Sequence, residues 1–444
     1  MIARLLRSAN ASTFLRAGAI TALIRVSGLF CVFLLQVLLA RLLGSASAYG
    51  VYAWGQALLF MLGGLAGLGM PHAAARFVAV HAGRGDATST KRVLRKAQSI
   101  TALSGTVFLA AACLLFLANA FDMTLGLSAT ITALACLGAP LVAWMNLNEA
   151  IGRARGWLTL AFLPSHVLRP LFAAIAVLGA AWLSEGRLSP ELCLMLMAAS
   201  IAAATVLQQL WAAVIHPLTS HEDRADDGEY TAQRLFRAGL PLFYAKAADL
   251  VMNYSTTLVV GLVSGPAEAG MFYAANRLSQ LVLLPEQVAA SVAQPGLARA
   301  HAAGDRETLE RLSSSALHLA FWPTALSACV LMLVGPYALG IFGRDFAGAV
   351  SMLLVLLCAH TGVVALGPAK HVLMMCGDQK ALAHVTGLVA LIHLLGLALF
   401  VPGSGALGAA LVTGTSSVLI GGLAAWRVKQ HLGVRTTLLR SSGH

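Results

Sequence analysis

Apolar stretches of about twenty residues recur along the whole chain, and no other feature constrains its fold as strongly. They fall at about 17–40, 50–72, 98–120, 127–148, 157–182, 190–214, 238–263, 270–294, 315–340, 348–369, 382–401 and 405–426. As a helix rising about 1.5 Å per residue, each is long enough for a hydrocarbon core about 30 Å thick. The expected fold is an all-α polytopic membrane protein with about twelve transmembrane helices. Composition agrees. Only 11% of residues are charged and 58% are hydrophobic, whereas a soluble domain carries about 25% charge. A soluble enzyme, a disordered chain and a disulfide scaffold are thereby excluded. The first stretch is too long for the apolar region of a cleaved signal, so it is expected to remain as a span.

The net charge of +12 follows membrane topology rather than a nucleic-acid partner. Of 30 Lys and Arg, 23 fall in the termini and even-numbered loops. The odd-numbered loops hold only Arg41, Arg187 and Arg344. By the positive-inside rule both termini are expected in the cytoplasm. The outer loops are very short, so there is no room for a folded catalytic loop outside. No GxxxxGK[ST], HExxH or GxSxG motif occurs in a usable context. The seven Cys show no CxxC or Cys/His ligand spacing. No enzyme activity, metal or cofactor is expected.

The halves repeat. Arg16-Ala-Gly and Arg237-Ala-Gly each precede a cation nine residues on, Arg25 and Lys246. Tyr49-Gly50-Val51-Tyr52-Ala53 corresponds to Ala269-Gly270-Met271-Phe272-Tyr273. His81 lies 31 residues after Gly50, and His301 lies 31 after Gly270; Gly85-Asp86 and Gly304-Asp305 follow. Six spans per half place both repeats the same way up, related by a pseudo-twofold axis along the membrane normal, with a substrate cavity expected between lobes. The expected units are a six-helix lobe at 1–215, a polar cytoplasmic linker at 216–236, a second six-helix lobe at 237–426 and a cytoplasmic tail at 427–444.

Four cations lie within spans: Arg25, Arg169, Lys246 and Arg277. A charge at mid-bilayer costs about 2.5–3.5 kcal/mol on insertion scales, so each must face a wet cavity, pair with an acid, or snorkel. Arg25 has no acid within four residues. Lys246 has Asp249 three residues on, either a self-neutralising pair or partners exchanged as the lobes move. Glu286, beside Pro285, either offsets Arg277 or binds a coupling cation. Arg169 sits between Pro164 and Pro170, where a kinked or re-entrant span is expected to free carbonyls. Four cations against two acids suit an anionic ligand, and Arg forks hold phosphate in bidentate fashion. Arg25, Lys246, Arg277 and Arg169 are the candidate substrate-binding residues. Asp249 and Glu286 are candidates for coupling or charge pairing. Gly63, Gly64, Gly67 and Gly69 read as a close-packing stripe or a hinge. His360, His384 and His393 read as polar packing or as a proton relay.

Residues 40–52 (ARLLGSASAYGVY) resemble the ARLLG…YG(L/I)(F/Y) stretch of polysaccharide exporters in the multidrug/oligosaccharidyl-lipid/polysaccharide (MOP) superfamily. Residues 265–278 (GPAEAGMFYAANRL) resemble the second-half counterpart, and 376–380 (CGDQK) falls at the family's Gly-polar-Lys/Arg turn. The resemblance implies a MATE-like fold, with two six-helix lobes in a V. It implies a Wzx-type flippase of the bacterial inner membrane, moving undecaprenyl-diphosphate-linked oligosaccharide, a precursor of O-antigen, capsule or exopolysaccharide, to the periplasmic leaflet. Membrane lipids, a glycan polymerase and glycosyltransferases are the partners so implied. A multidrug antiporter and a peptidoglycan-lipid flippase are the alternatives within the superfamily, and a membrane glycan polymerase or ligase the one outside it. The antiporters usually carry an acid in the first span, where this chain has Arg25; the peptidoglycan-lipid flippases look two spans longer.

Overall fold

The computed structural model describes residues 9–83, 86–120, 127–215, 232–434 and 436–438. Most of the expected linker, with Arg224, lies outside the described residues, as do Arg4, Arg7, Arg84, Gly85, Arg435 and Arg440. Every regular element among the described residues is helical. In the first half they are α1 (Ala9–Leu43), α2 (Ala46–Ala66), α3 (Met70–Gly83), α4 (Ala87–Ala120), α5 (Leu127–Ala154), α6 (Leu158–Leu163), α7 (Arg169–Leu183) and α8 (Pro190–Ile215). The second half holds α9 (Ala232–Val263), α10 (Pro266–Ser279), α11 (Leu284–Ala302), α12 (Arg306–Gly340), α13 (Val350–Ala365), α14 (Ala369–Met375) and α15 (Gln379–Leu432).

Eight helical stretches are long and apolar enough to cross a membrane, or nine when α2 and α3, bent by 47° at their junction, count as one span. The difference from twelve has physical causes. α9 has the length, but Arg237, Lys246, Asp249 and the Ser-Thr-Thr run at 255–257 dilute its apolar character. α10 and α11 are separated by a 3-10 turn, Gln280–Leu283, ahead of Pro285. α15 runs 54 residues, which would extend about 80 Å if straight. It instead breaks at Gly405, which has positive φ (φ 55°, ψ −143°), a conformation open to glycine. His393 before the break hydrogen-bonds Ser416 after it at 3.1 Å, so the two limbs run antiparallel. With these segments included, the helices follow the twelve expected stretches in order.

Contacts at the helix ends keep the alternation that twelve spans require. Arg41 donates to the carbonyls of Ile341 (2.6 Å) and Gly340 (2.8 Å), and the Asp345 carboxylate accepts from Ala46 N. The Glu268 carboxylate accepts from Ala406 N at 2.6 Å. These join odd-numbered connections to one another. At the other end, Arg306 donates to the Gly433 carbonyl, Thr436 packs on Gly367, and His431 lies 3.8 Å from Asp378. These join even-numbered connections and the C-terminal segment. Trp182 and Tyr337, 83% and 80% exposed near the ends of α7 and α12, have the amphipathic character of interfacial anchors.

The repeat is visible in local geometry. Asp86 caps α4 by accepting from Ser89 N, and Asp305 caps α12 by accepting from Thr308 N, both at 2.9 Å. Hydrogen bonds from the Ser89 and Thr308 side chains first, and these backbone bonds second, hold both carboxyls below the ordinary aspartate range. Gly50 of α2 and Gly270 of α10 face each other. A Cβ on Gly50 would overlap the Pro266 carbonyl, and one on Gly270 would overlap the Ala46 carbonyl. The two matched glycines therefore meet where the two halves cross, with backbone against backbone.

The glycine stripe in α2 serves both packing and a break. Gly63 lies against Val142 of α5 and Gly64 against Leu250 of α9. Leu68 (φ 44°) and Gly69 (φ 74°) form the bend into α3. The seven cysteines are all free. Replacing Glu268 with Ala is expected to lower stability by about 1–2 kcal/mol through loss of a charged helix cap, measured by thermal unfolding of the purified chain.

Candidate functional site

The proline pair in the fifth stretch shapes the site. Between α6 and α7 the chain makes a π-helical turn, Pro164–Leu168. Arg169 N donates to the Pro164 carbonyl, five residues back. In that register the Ser165 carbonyl would await a proton from residue 170, and Pro170 has none. The side chain of Arg169 supplies it: Nε donates to Ser165 O at 3.0 Å. The expected kink is thus a π turn, and it fixes the guanidinium. Gly28 of α1 lets α1 approach this turn directly, since a Cβ there would meet the His166 carbonyl at 2.7 Å.

Arg169 lies over the Phe60 ring, 4.9 Å from its centroid, and Phe60 stacks on Tyr254 of α9. Arg277 of α10 is within electrostatic reach of Arg169. Its Nη2 donates to Tyr273 OH at 2.6 Å and its Nη1 to Gln280 at 3.1 Å. Gln56 Oε1 accepts from both Tyr273 OH (2.6 Å) and Gln36 (3.2 Å), and Gln36 Oε1 accepts from Tyr49 OH. Helices α1, α2, α7, α9 and α10 so build one polar cluster around two guanidiniums. Tyr52 OH and Arg277 Nε are buried there without a hydrogen-bond partner. Among the described residues no carboxylate pairs with either arginine.

A second tier lies beside the first. Arg25 sits over the Phe162 ring at 4.7 Å, and Arg153 approaches the same ring at 6.0 Å. Glu149 accepts from Ser165 Oγ at 2.9 Å and lies 3.9 Å from Arg153 Nε. Arg25 feels both Glu149 and Arg153. His72 of α3 feels Lys246 and Asp249 of α9 together with Arg153 and Glu149. Charges from both halves therefore share one region. Among the described residues, Lys246 and Asp249 form no ion pair with each other.

The structure groups five of the six candidates. Arg25, Lys246 and Asp249 lie in the second tier, Arg169 and Arg277 in the first. Glu286 stands apart on α11, where its carboxylate is 3.1 Å from His371 of α14, and His371 in turn meets Gln294 at 3.0 Å. It does not offset Arg277, whose partners are Tyr273 and Gln280. His393 is fully buried between Thr256 and Ser416, and His360 meets Ser279. Sequence reasoning missed Glu149, Arg153 and His72, together with the tyrosines and glutamines. Their signal was present: Gln36 and Gln56 interrupt apolar stretches, and Glu149–Arg153 is an i, i+4 pair at a span's end.

Solved structures carry the same fold. A multidrug-resistance MATE-family transporter of the MOP superfamily, inward-facing, aligns over 93% of this chain and 98% of its own, with TM-score 0.70 and 15% identity. The lipid II flippase MurJ in an inward closed conformation aligns over 94% and 87%, with TM-score 0.68 and 15% identity. A MOP-superfamily transporter from Pyrococcus furiosus aligns over 94% and 95%, with TM-score 0.62 and 14% identity. No curated protein matches the sequence. The fold is that of these MOP-superfamily transporters. Within that class, residues 14–301 match the family described as "Polysaccharide biosynthesis protein", and the chain belongs to that family.

Proposed function

We propose that this protein is a flippase for oligosaccharide carried on undecaprenyl diphosphate, moving the repeat unit of an O-antigen, capsule or exopolysaccharide from the cytoplasmic to the periplasmic leaflet. The observation that carries the reading is the set of four intramembrane cations, Arg25, Arg169, Lys246 and Arg277, contributed by both halves, with no acid bonded to any of them among the described residues. A diphosphate supplies the missing negative charge, and paired guanidiniums suit its geometry. A cationic drug would be repelled from the same place.

On this reading residues 1–215 and 237–426 are two lobes that rock about the cavity, with 216–236 as linker and 427–444 as tail. The protein lies in the bacterial inner membrane with both termini in the cytoplasm. The diphosphate sits among Arg25, Lys246 and Arg277, with Arg169 beside them. The sugars occupy the hydrated space between lobes, and the prenyl tail stays in lipid. The contacts Arg41–Ile341, Ala46–Asp345 and Gly50–Gly270 then close the periplasmic end, so this state receives substrate from the cytoplasm. Asp249 and Glu149 exchange partners with the cations as the lobes move, and Glu286 with His371 forms a separate hydrogen-bonded pair. A polymerase and glycosyltransferases act after and before the flipping step.

The test is mass spectrometry of lipid-linked intermediates in a deletion strain, with sidedness read by an impermeant glycosidase. Complete repeat units are expected to accumulate, protected inside. Complete units accessible outside would indicate a polymerase or ligase, and unchanged glycans a drug antiporter.

A further inference from the structure

Tyr273 of α10 touches both the cation cluster and the place where the halves cross. Its side chain is buried. The hydroxyl accepts from Arg277 Nη2 at 2.6 Å and donates to Gln56 Oε1 of α2 at 2.6 Å. The first bond stays within the second half; the second joins the two halves. The Tyr273 ring meets the Tyr49 ring of α2 edge-on, with centroids 6.1 Å apart. Phe342 and Phe346, also from the second half, meet Tyr49 at 6.4 and 5.6 Å. Tyr49 is the neighbour of Gly50, and Tyr273 lies one helical turn from Gly270. The glycine crossing is thus flanked by one polar bond and a set of aromatic contacts, and Tyr273 belongs to both.

The order of the bonds gives the connection a direction. A guanidinium donates to a hydroxyl, and that hydroxyl donates to an amide. A hydroxyl that accepts from a cation is polarised and donates more strongly. The bond between the halves therefore draws strength from Arg277. A phosphate oxygen is a better acceptor for a guanidinium than a neutral hydroxyl, because both partners are then charged. Once Arg277 turns to a phosphate, Tyr273 loses its donor and its bond to Gln56 weakens. Gln280, the other acceptor of Arg277 at 3.1 Å, lies three residues along the same half. Its bond to Arg277 is local and does not join the halves.

We infer that Tyr273 is a positioning residue that transmits occupancy of Arg277 to the crossing of α2 and α10. Phosphate on Arg277 releases the tyrosine, and the released tyrosine lets the halves part there. The inference rests on the diphosphate reading of the site. The test uses the purified full chain, freed of its seven cysteines and spin-labelled at Ser47 and Ala267, with farnesyl diphosphate as the probe. Without further substitution, the probe is expected to shift the label distances to longer values. In Tyr273→Phe the longer distances are expected before the probe is added, and the probe should add little. The same variant should bind farnesyl diphosphate about two- to tenfold more tightly, because Arg277 no longer has to leave a hydroxyl. A merely structural tyrosine would weaken binding when changed. Gln280→Leu should tighten binding in the same way and leave the resting distance as it was. Should Tyr273→Phe fail to fold, Gln56→Met cuts the same bond from the other half and is expected to lengthen the resting distance. Binding without any change in distance, or an unchanged resting distance in either folded variant, would overturn the inference and leave the diphosphate site standing. No binding of farnesyl diphosphate by the chain without these substitutions would overturn the diphosphate reading and this inference with it.

Discussion

Arg25→Ala is expected to reduce outward flipping of lipid-linked oligosaccharide by about 10- to 150-fold while the protein remains inserted and folded. The two halves of that expectation rest on different magnitudes. Arg25 contacts the Phe162 ring face and feels Glu149 and Arg153. A cation–π contact of this kind contributes about 0.5–1 kcal/mol when exposed. Removing it leaves no stranded acid, because Glu149 keeps Ser165 and Arg153. The fold therefore survives. A hydrogen bond from a cation to a substrate phosphate contributes about 1.5–3 kcal/mol, which gives the stated range in rate when lost from the step it serves. Arg25→Lys should fall between, keeping the charge and losing the fork. The measurement is glycosidase-accessible product in cells expressing each variant at matched membrane levels. Wild-type flipping by Arg25→Ala at equal abundance would remove Arg25 from the binding site.

The sequence carried the fold because lipid imposes a simple rule. Backbone must be satisfied within each span, so apolar length alone locates helices. It also carried the repeat, since glycines that meet backbone to backbone tolerate no other residue and keep their place in each half. The site was legible only where a charge breaks an apolar run, as at Arg25, Arg169, Lys246 and Arg277. Glu149 lies one residue beyond its expected span, at 127–148. It reads as a boundary residue until α5 is seen to continue to Ala154. The tyrosine–glutamine cluster was illegible for another reason. Tyr49, Tyr52 and Tyr273 read as ordinary aromatic packing in a membrane helix. Only the bonds of Tyr49 to Gln36 and of Tyr273 to Gln56 and Arg277, with Tyr52 buried beside them, make a polar network there. Glu286 shows the converse: an acid in an apolar run whose partner, His371, lies 85 residues away and leaves no local trace.

Gly50→Ala combined with Gly270→Ala is expected to open the end of the molecule at which α2 and α10 cross. A Cβ on Gly50 would overlap the carbonyl of Pro266 and lie 2.9 Å from Gly270 N; one on Gly270 would lie 3.0 Å from Gly50 N. These are backbone atoms, so no rotamer change relieves the clash, and the helices must part. Inserting a methyl into a packed interface typically costs about 1–3 kcal/mol. Two such costs approach the roughly 5.5 kcal/mol that inverts a 99:1 population. The cost falls on the state closed at this end, because the glycines meet only when the helices are in contact. The alanine pair should therefore favour the opposite state rather than unfold the protein: the packing of Gly63 on Val142 and Gly64 on Leu250 lies elsewhere on α2 and is untouched. Spin labels at Ser47 and Ala267, exposed residues on either side of the crossing, should report a longer and broader distance distribution by pulsed electron resonance. Flipping should fall with it, since a carrier held open at one end cannot complete its cycle. An unchanged distance with lost flipping would mean that the glycines serve folding alone, and that the crossing of α2 and α10 is a fixed pivot rather than a gate.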